Sequence, residues 1–243
     1  MLRVIVDKRR DPYINMALDE VLMRGKGFNL RLYGWYPPAV TVGYFQSIRE
    51  FVDVEACEKL RILYTRRISG GGSVLHMYEI TYSVTGDRET LGRWPEESFD
   101  LILDFIIKAL KNLGINAKRE GINDIIVNGK KISGNAQARK ENRVLQHGTV
   151  LIDIDRDLMD RVLRIPSLKS KEKGIIKVSE RVTSIRDVLG YIPRREEIIS
   201  SFIISAEEFW GNVKISSYKE EELSSAEVIA NEKYKRSEWI FRR

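Results

Sequence analysis

The chain has 243 residues, 43% hydrophobic and 31% charged, a balance that suits a folded globular protein and excludes a disordered one. No apolar run approaches the roughly 20 residues that span a bilayer, and a lone cysteine, Cys57, excludes an internal disulfide or a cysteine-rich metal site. With 41 basic and 35 acidic side chains the net charge is +6, which favours acidic partners; the basic residues are dispersed rather than clustered, which disfavours nucleic acid.

Met1–Asp7 reads as a strand without the apolar core of a signal peptide, so a cytoplasmic location is expected. Tyr13–Arg24 carries helical periodicity behind Pro12. Leu30–Tyr33 and Val40–Tyr44 are short strands on either side of Pro37-Pro38, and Val54–Leu60 reads as a second helix. Leu63–Arg66 leads as a strand into Arg66-Arg67-Ile68-Ser69-Gly70-Gly71-Gly72-Ser73-Val74-Leu75-His76. Glycines let backbone N–H groups approach a ligand that a Cβ would repel. A run of such groups forms a nest for an anion, and arginines beside it can pair with carboxylate or phosphate. The loop is neither a Walker A loop nor a GxGxxG fingerprint, because no Gly-Lys-Ser/Thr closes it and its glycines are consecutive. A tight hairpin without a ligand is the alternative.

Ile80–Val84 reads as the strand beyond the loop. A long amphipathic helix follows from about Glu96 to Leu113, with Phe99, Ile102, Leu103, Ile106, Leu110 and Leu113 at spacings of three and four. Strands return over Ile122–Ile154, and helical signals at Asp157–Leu163, Arg195–Phe209 and Glu220–Lys233; Lys169–Lys177 is a candidate mobile loop. Strands and helices joined by hairpins imply an α+β fold on a mixed, largely antiparallel sheet flanked by helices, with a single domain expected over residues 1–243.

Asn128-Gly129 between two apolar runs is a strong hairpin signal. A two-residue turn pairs Val127 with Lys130, Ile126 with Lys131 and Asp124 with Ser133. Asp124, Lys131 and Ser133 then share one face and Lys130 points away, which selects Lys131 as the lysine beside a carboxylate. An exposed ion pair worth about 0–1 kcal/mol is the bland alternative.

Three separated motifs coincide: the arginine–glycine loop, Asn123-Asp124 with Lys131-Ile132-Ser133-Gly134-Asn135-Ala136, and His147-Gly148-Thr149-Val150-Leu151. Together they resemble lipoate–protein ligases, in the superfamily that also holds biotin–protein ligases and octanoyl transferases and is related to class II synthetase cores. Weaker echoes, such as Val42-Gly43-Tyr44-Phe45-Gln46 and Arg181-Val182-Thr183-Ser184-Ile185, extend the match over most of the chain. The resemblance implies that lipoate, ATP and Mg²⁺ give lipoyl-adenylate. A lysine of an acidic acceptor domain, E2 or glycine-cleavage H protein, then takes the lipoyl group. Lys131 would be the catalytic residue, holding carboxyl and phosphate oxygens, with Asp124 orienting it or helping to hold Mg²⁺. Arg67, Ser69, Gly70, Gly71, Gly72, His76, Asn123, Ser133, Gly134, His147, Gly148 and Thr149 would line the substrate and adenylate site.

Two departures stand out. Met77 occupies the position after the motif histidine where these ligases usually carry an acid, and the chain ends after Tyr234 and Trp239, where their large domain finishes. The small C-terminal accessory domain is therefore expected to be absent, with a separate small partner supplying it for adenylation. The nearest rival is octanoyl transfer from octanoyl-acyl carrier protein, which needs a thiolate nucleophile. Cys57 matches neither transferase cysteine position, upstream of the lysine motif or late in the chain. Lipoate and octanoate both stay open as the acyl group.

Overall fold

The computed structural model describes residues 1–165 and 177–243, so the expected loop at Lys169–Lys177 lies outside the described residues except for Lys177. The chain begins with β1 (Leu2–Arg10) and α1 (Pro12–Arg24), whose Asp11 cap accepts hydrogen bonds from the N–H groups of Tyr13 and Ile14. It continues through β2 (Asn29–Trp35), β3 (Ala39–Val42), α2 (Ile48–Phe51), α3 (Val54–Lys59), β4 (Leu63–Arg66), β5 (Val74–His76) and β6 (Glu79–Asp87). After α4 (Arg88–Leu91) and α5 (Pro95–Asn112) come β7 (Lys118–Glu120), β8 (Asp124–Val127), β9 (Lys130–Lys140), β10 (Arg143–Leu151) and α6 (Arg156–Val162). A 3₁₀ turn at Val178–Arg181, a short helix at Ile185–Leu189, a helix at Arg195–Trp210, β11 (Val213–Ile215), a helix at Glu220–Ile229, a π-turn at Ala230–Tyr234 and a short helix at Ser237–Ile240 complete the described structure.

Eight strands form one mixed sheet in the order β11-β1-β2-β6-β10-β9-β8-β7, parallel at β11-β1-β2 and antiparallel beyond. β4-β3-β5 form a small second sheet. This is the α+β architecture expected from the sequence.

Strand parity decides which side does what, because successive side chains point to opposite faces. Leu30 and Leu32 of β2, Ile80, Tyr82 and Val84 of β6, and Val144 and Val150 of β10 pack against Ile102, Phe105, Ile106 and Phe202 of the two long helices. The intervening residues carry polar chemistry on the opposite face. Register places Arg31, Ser83, His147 and Ala136 in one row across the sheet, and Tyr33, Thr81, Thr149 and Gly134 in the next. The hydrophobic face thus fixes the sheet while the other face presents a polar floor.

The hairpin differs from its expected register at one point. Asn128 and Gly129 adopt positive φ (51° and 76°), and Val127–Lys130 and Ile126–Lys131 pair as expected. A bulge then makes Ile125 face Ser133 and Asp124 face Gly134. Beside the bulge, Lys131 also bridges Val182 in parallel and its carbonyl accepts from Thr183 N–H at 2.9 Å, contacts from a segment far along the chain that a simple hairpin lacks. The helix expected over Glu220–Lys233 ends at Ile229 and gives way to the π-turn.

Candidate active site

The polar floor, the glycine loop and the hairpin line a cleft that is partly open to solvent. Met16, Tyr33, Trp35, Val74 and Ala136 give it apolar walls; Arg67, His76, Asn123, Lys131, His147 and Thr149 give it polar ones.

Arg67 is buried at the base of the glycine loop. Its Nη1 donates to Thr41 O (3.1 Å) and Oγ1 (2.7 Å), and its Nη2 to the carbonyls of Gly70 and Gly72, both at 2.8 Å. Burial pushes the guanidinium down to about 10. The grip expected between this arginine and a ligand is thus a grip on the loop itself. With two loop carbonyls turned toward Arg67, and Gly71 at φ 87°, the N–H groups of residues 70–73 donate to no protein acceptor among the described residues. These unpaired donors lie beside a buried positive charge, a combination suited to an anion.

Two histidines brace this loop. His147 Nδ1 lies 2.8 Å from Asp19 Oδ2 and its Nε2 2.6 Å from Ser69 Oγ. Burial raises the Asp19 carboxyl, but the hydrogen bond with His147 and the charge of Arg31, 3.0 Å away, hold it below its ordinary range. His76 Nδ1 lies 2.7 Å from Glu79 Oε1 and its Nε2 2.8 Å from Thr41 Oγ1, under the stacked ring of Trp35. Burial lowers the His76 imidazole although Glu79 pulls it up. Each histidine therefore joins a carboxylate to a hydroxyl that contacts Arg67, Ser69 at 3.4 Å and Thr41 at 2.7 Å.

On the hairpin, Lys131 Nζ lies 2.6 Å from Asp124 Oδ1, as the two share one face. The approach is off-axis, so this buried oxygen gains no proper hydrogen bond and the contact is electrostatic. The lysine chain lies across Gly134. Asn135 steadies the neighbouring loop: its N–H and Nδ2 both donate to Asn123 O (3.0 and 2.9 Å), Asn123 Nδ2 returns to Asn135 O (2.7 Å), and Tyr82 OH donates to Asn135 Oδ1 (2.5 Å).

Of the positions singled out in the sequence, Arg67, Gly71, Gly72, His76, Asn123, Lys131, Gly134, His147, Gly148 and Thr149 line the cleft. Ser69, Gly70, Asp124 and Ser133 do not. Ser69 is turned to His147, Gly70 offers its carbonyl to Arg67, Asp124 pairs with the lysine, and the bulge moves Ser133 opposite Ile125. Met16, Tyr33, Trp35, Thr41, Ser73, Val74, Thr81, Asn135 and Ala136 were not anticipated. Asn135 and Ala136 continue the lysine motif and were within reach of it; Tyr33, Trp35 and Thr81 become visible only through cross-strand register.

Residues 11–206 match the family model described as lipoyl protein ligase A/B catalytic domain. The octanoyltransferase LipM of Carboxydothermus hydrogenoformans is 35% identical over 94% of each chain, and that of Halalkalibacterium halodurans 30% over 99% of each. Among solved structures, a bi-partite lipoate protein ligase from Thermoplasma acidophilum, studied with its E2 lipoyl domain, superposes with a TM-score of 0.86 at 26% identity, covering 98% of this chain and 95% of that one. A lipoate-protein ligase A bound with ATP gives 0.84 at 26% identity over 98% and 97%. The fold is that of lipoate–protein ligases, and the chain belongs to the lipoyl protein ligase A/B catalytic-domain family of ligases and transferases.

Proposed function

We propose that this chain is a lipoate–protein ligase that works through an acyl-adenylate, rather than a transferase that works through an enzyme thioester. The observation that carries this reading is where its only thiol lies. Cys57 sits in α3, buried among Val40, Val42, Ile48, Val52 and Ile62, away from the cleft lining, and burial pushes its thiol up to about 11. A thiolate nucleophile at the acyl carbonyl is what thioester transfer requires.

In the first step a substrate carboxylate oxygen attacks the α-phosphorus of ATP and the bond to pyrophosphate breaks. Two anions meet, and charge builds on phosphate oxygens that preorganised donors must stabilise. The Lys131 ammonium, the N–H groups of residues 71–73 and the charge of Arg67 are the groups we assign to this, since all of them border the cleft. In the second step a lysine amine of an acceptor domain attacks the acyl carbonyl, the bond to AMP breaks, and the amine proton leaves to solvent. The carbonyl is already activated, so His76 and His147 are assigned to bracing the loop rather than to proton abstraction.

Mg²⁺ commonly takes one or two carboxylates together with substrate phosphates and water. Asp19 and Glu79 are committed to their histidines, Asp124 Oδ1 lies 2.6 Å from the Lys131 ammonium, and no cluster of three metal-binding side chains occurs among the described residues. Of these three carboxylates only Asp124 is not buried, and it would hold Mg²⁺ brought in with ATP only by giving up that ion pair. Likeness to one chain of a bi-partite ligase over 95% of its length supports a separate small partner for adenylation, and the net charge of +6 suits acidic acceptor domains.

A second reading rests on the relatives named octanoyltransferase: acyl transfer from a carrier-protein thioester directly to the acceptor lysine. Binding of a non-hydrolysable sulfamoyl analogue of lipoyl-adenylate separates the two. It should raise the melting temperature of the wild-type chain and bind at least ~10-fold more weakly to Lys131→Ala. Absence of any shift, with binding of an acylated carrier protein instead, would favour the second reading.

A further inference from the structure

Arg66, the first arginine of the Arg66-Arg67 pair, has no part in the chemistry above. It is fully buried, yet its hydrogen-bond partners are all main-chain carbonyls. Nη1 donates to Gly43 O (2.8 Å), Tyr44 O (3.1 Å) and Gln46 O (2.7 Å). Nε donates to Trp239 O and Ile240 O, both at 3.1 Å, and Nη2 to Ile240 O at 2.8 Å. The indole N–H of Trp239 donates back to Arg66 O at 2.8 Å. A buried charge is costly unless it is fully hydrogen-bonded, and here the bonds join two segments that otherwise lie far apart in the chain.

One of those segments backs the glycine loop. Tyr44 N–H donates to Ser69 O at 2.8 Å, and Gln46 Oε1 accepts from Gly43 N (2.9 Å) and Ser73 Oγ (3.1 Å). A Cβ on Gly43 would lie 2.1 Å from Gly71 O, so the turn and the loop touch with no slack. The other segment is itself anchored. Tyr234 O accepts from Thr65 Oγ1 at 2.8 Å, and Glu20 Oε2 accepts from Tyr234 OH (2.5 Å) and Lys233 Nζ (2.7 Å).

We propose that Arg66 is a positioning residue through which the C-terminal segment Lys233–Ile240 holds the 43–46 turn and, through that turn, the ligand-facing glycine loop. Ligand binding in the cleft then depends on an arginine that touches no ligand. Only the binding arm of the following test rests on the adenylate reading.

Hydrogen exchange on the full chain tests the proposal with wild type, Arg66→Met, Arg66→Lys and Phe202→Leu, the last a control of the remote helix core. Arg66→Met should speed exchange at least ~10-fold in peptides covering residues 43–46, 69–73 and 237–241 together, and leave β2 unchanged. Arg66→Lys should recover part of the protection, and Phe202→Leu should not reproduce the pattern. The lipoyl-adenylate analogue should bind Arg66→Met at least ~10-fold more weakly than it binds Phe202→Leu at matched loss of melting temperature. If Arg66→Met does not fold, Trp239→Phe, which deletes the donor to Arg66 O and keeps an aromatic ring against Tyr44 and Tyr234, should show a smaller rise in the same three peptides. Exchange confined to 237–241, spread evenly as in the control, or unchanged in Trp239→Phe would overturn the proposal. The expected exchange pattern with no analogue binding in any variant would keep Arg66 in this role and remove the adenylate reading.

Discussion

Lys131 and Gly134 share one volume. A Cβ at position 134 would stand 2.5 Å from Lys131 Cε and 2.8 Å from Nζ. The collision is with the flexible end of a side chain, so Gly134→Ala should cost little stability and instead push the ammonium off its position beside Asp124. The expected outcome is a melting temperature within a few degrees of wild type and acceptor modification reduced at least ~10-fold, since a misplacement of about 1 Å can cost ~100-fold in rate. Full activity in Gly134→Ala would show that the ammonium's position is not important.

The two hairpin lysines should separate cleanly. Lys131 lines the cleft, whereas Lys130 is exposed. The Lys131–Asp124 pair is 37% and 28% exposed at its side chains, so breaking it should change stability by no more than about 1 kcal/mol. Lys131→Ala should therefore abolish acyl transfer in a protein that melts almost normally, and Lys130→Ala should be mild. Denaturant melts run beside the transfer assay check both; the reverse ranking would refute the observed face assignment.

Cys57 should be dispensable for chemistry. Its thiol is buried and pushed up to about 11, so iodoacetamide at neutral pH should label it slowly and leave activity intact. Cys57→Ser should cost about 1–3 kcal/mol of stability, because a hydroxyl replaces a small apolar group in a packed cluster. Loss of turnover at temperatures where the variant is still folded would count against the adenylate reading.

Stability should fall on mild acidification, and His76 sets the sign. Burial holds its imidazole below the ordinary 6.5 despite Glu79. As pH falls through 6.5 the unfolded chain takes a proton that the folded chain still refuses, so the unfolded state gains. Above that pH both forms are neutral and His76 contributes nothing. Asp19 is held below its ordinary 3.8, where the hydrogen bond with His147 and the Arg31 charge outweigh burial, so its stabilisation is lost only as pH falls below that range. Calorimetry should show a flat melting temperature above neutral pH and a decline below 6.5 that is shallower in His76→Gln. An equal or steeper decline in that variant would contradict the assignment.

Local signals made much of the fold legible. α5 followed from apolar spacing, with Ile102, Leu103, Ile106 and Leu110 all buried as that spacing requires. Asn128-Gly129 marked the hairpin turn, and its first two pairs followed. The bulge did not; beside it, Val182 and Thr183 reach Lys131 from a segment that no local pattern links to it. Arg67 was readable as a site residue but not in its orientation, which depends on Thr41 and on the loop's own carbonyls. The histidine partners Asp19 and Glu79 were hidden for different reasons. Asp19 lies on a helix whose periodicity announces only packing, and Glu79 stands three residues past His76 rather than next to it, where Met77 N–H donates to it at 2.7 Å.

The central claim is that the acyl group reaches the acceptor lysine from an adenylate, without an enzyme thiol. The most direct measurement is the mass of an apo lipoyl domain after incubation with the wild-type chain or Cys57→Ser, supplied either with lipoyl-adenylate or with octanoyl-acyl carrier protein. The expected result is a lipoyl mass increment from the adenylate with both proteins and no increment from the carrier thioester. An octanoyl increment from the thioester would contradict it, pointing to an enzyme thioester if it is lost in folded Cys57→Ser and to direct transfer if it persists.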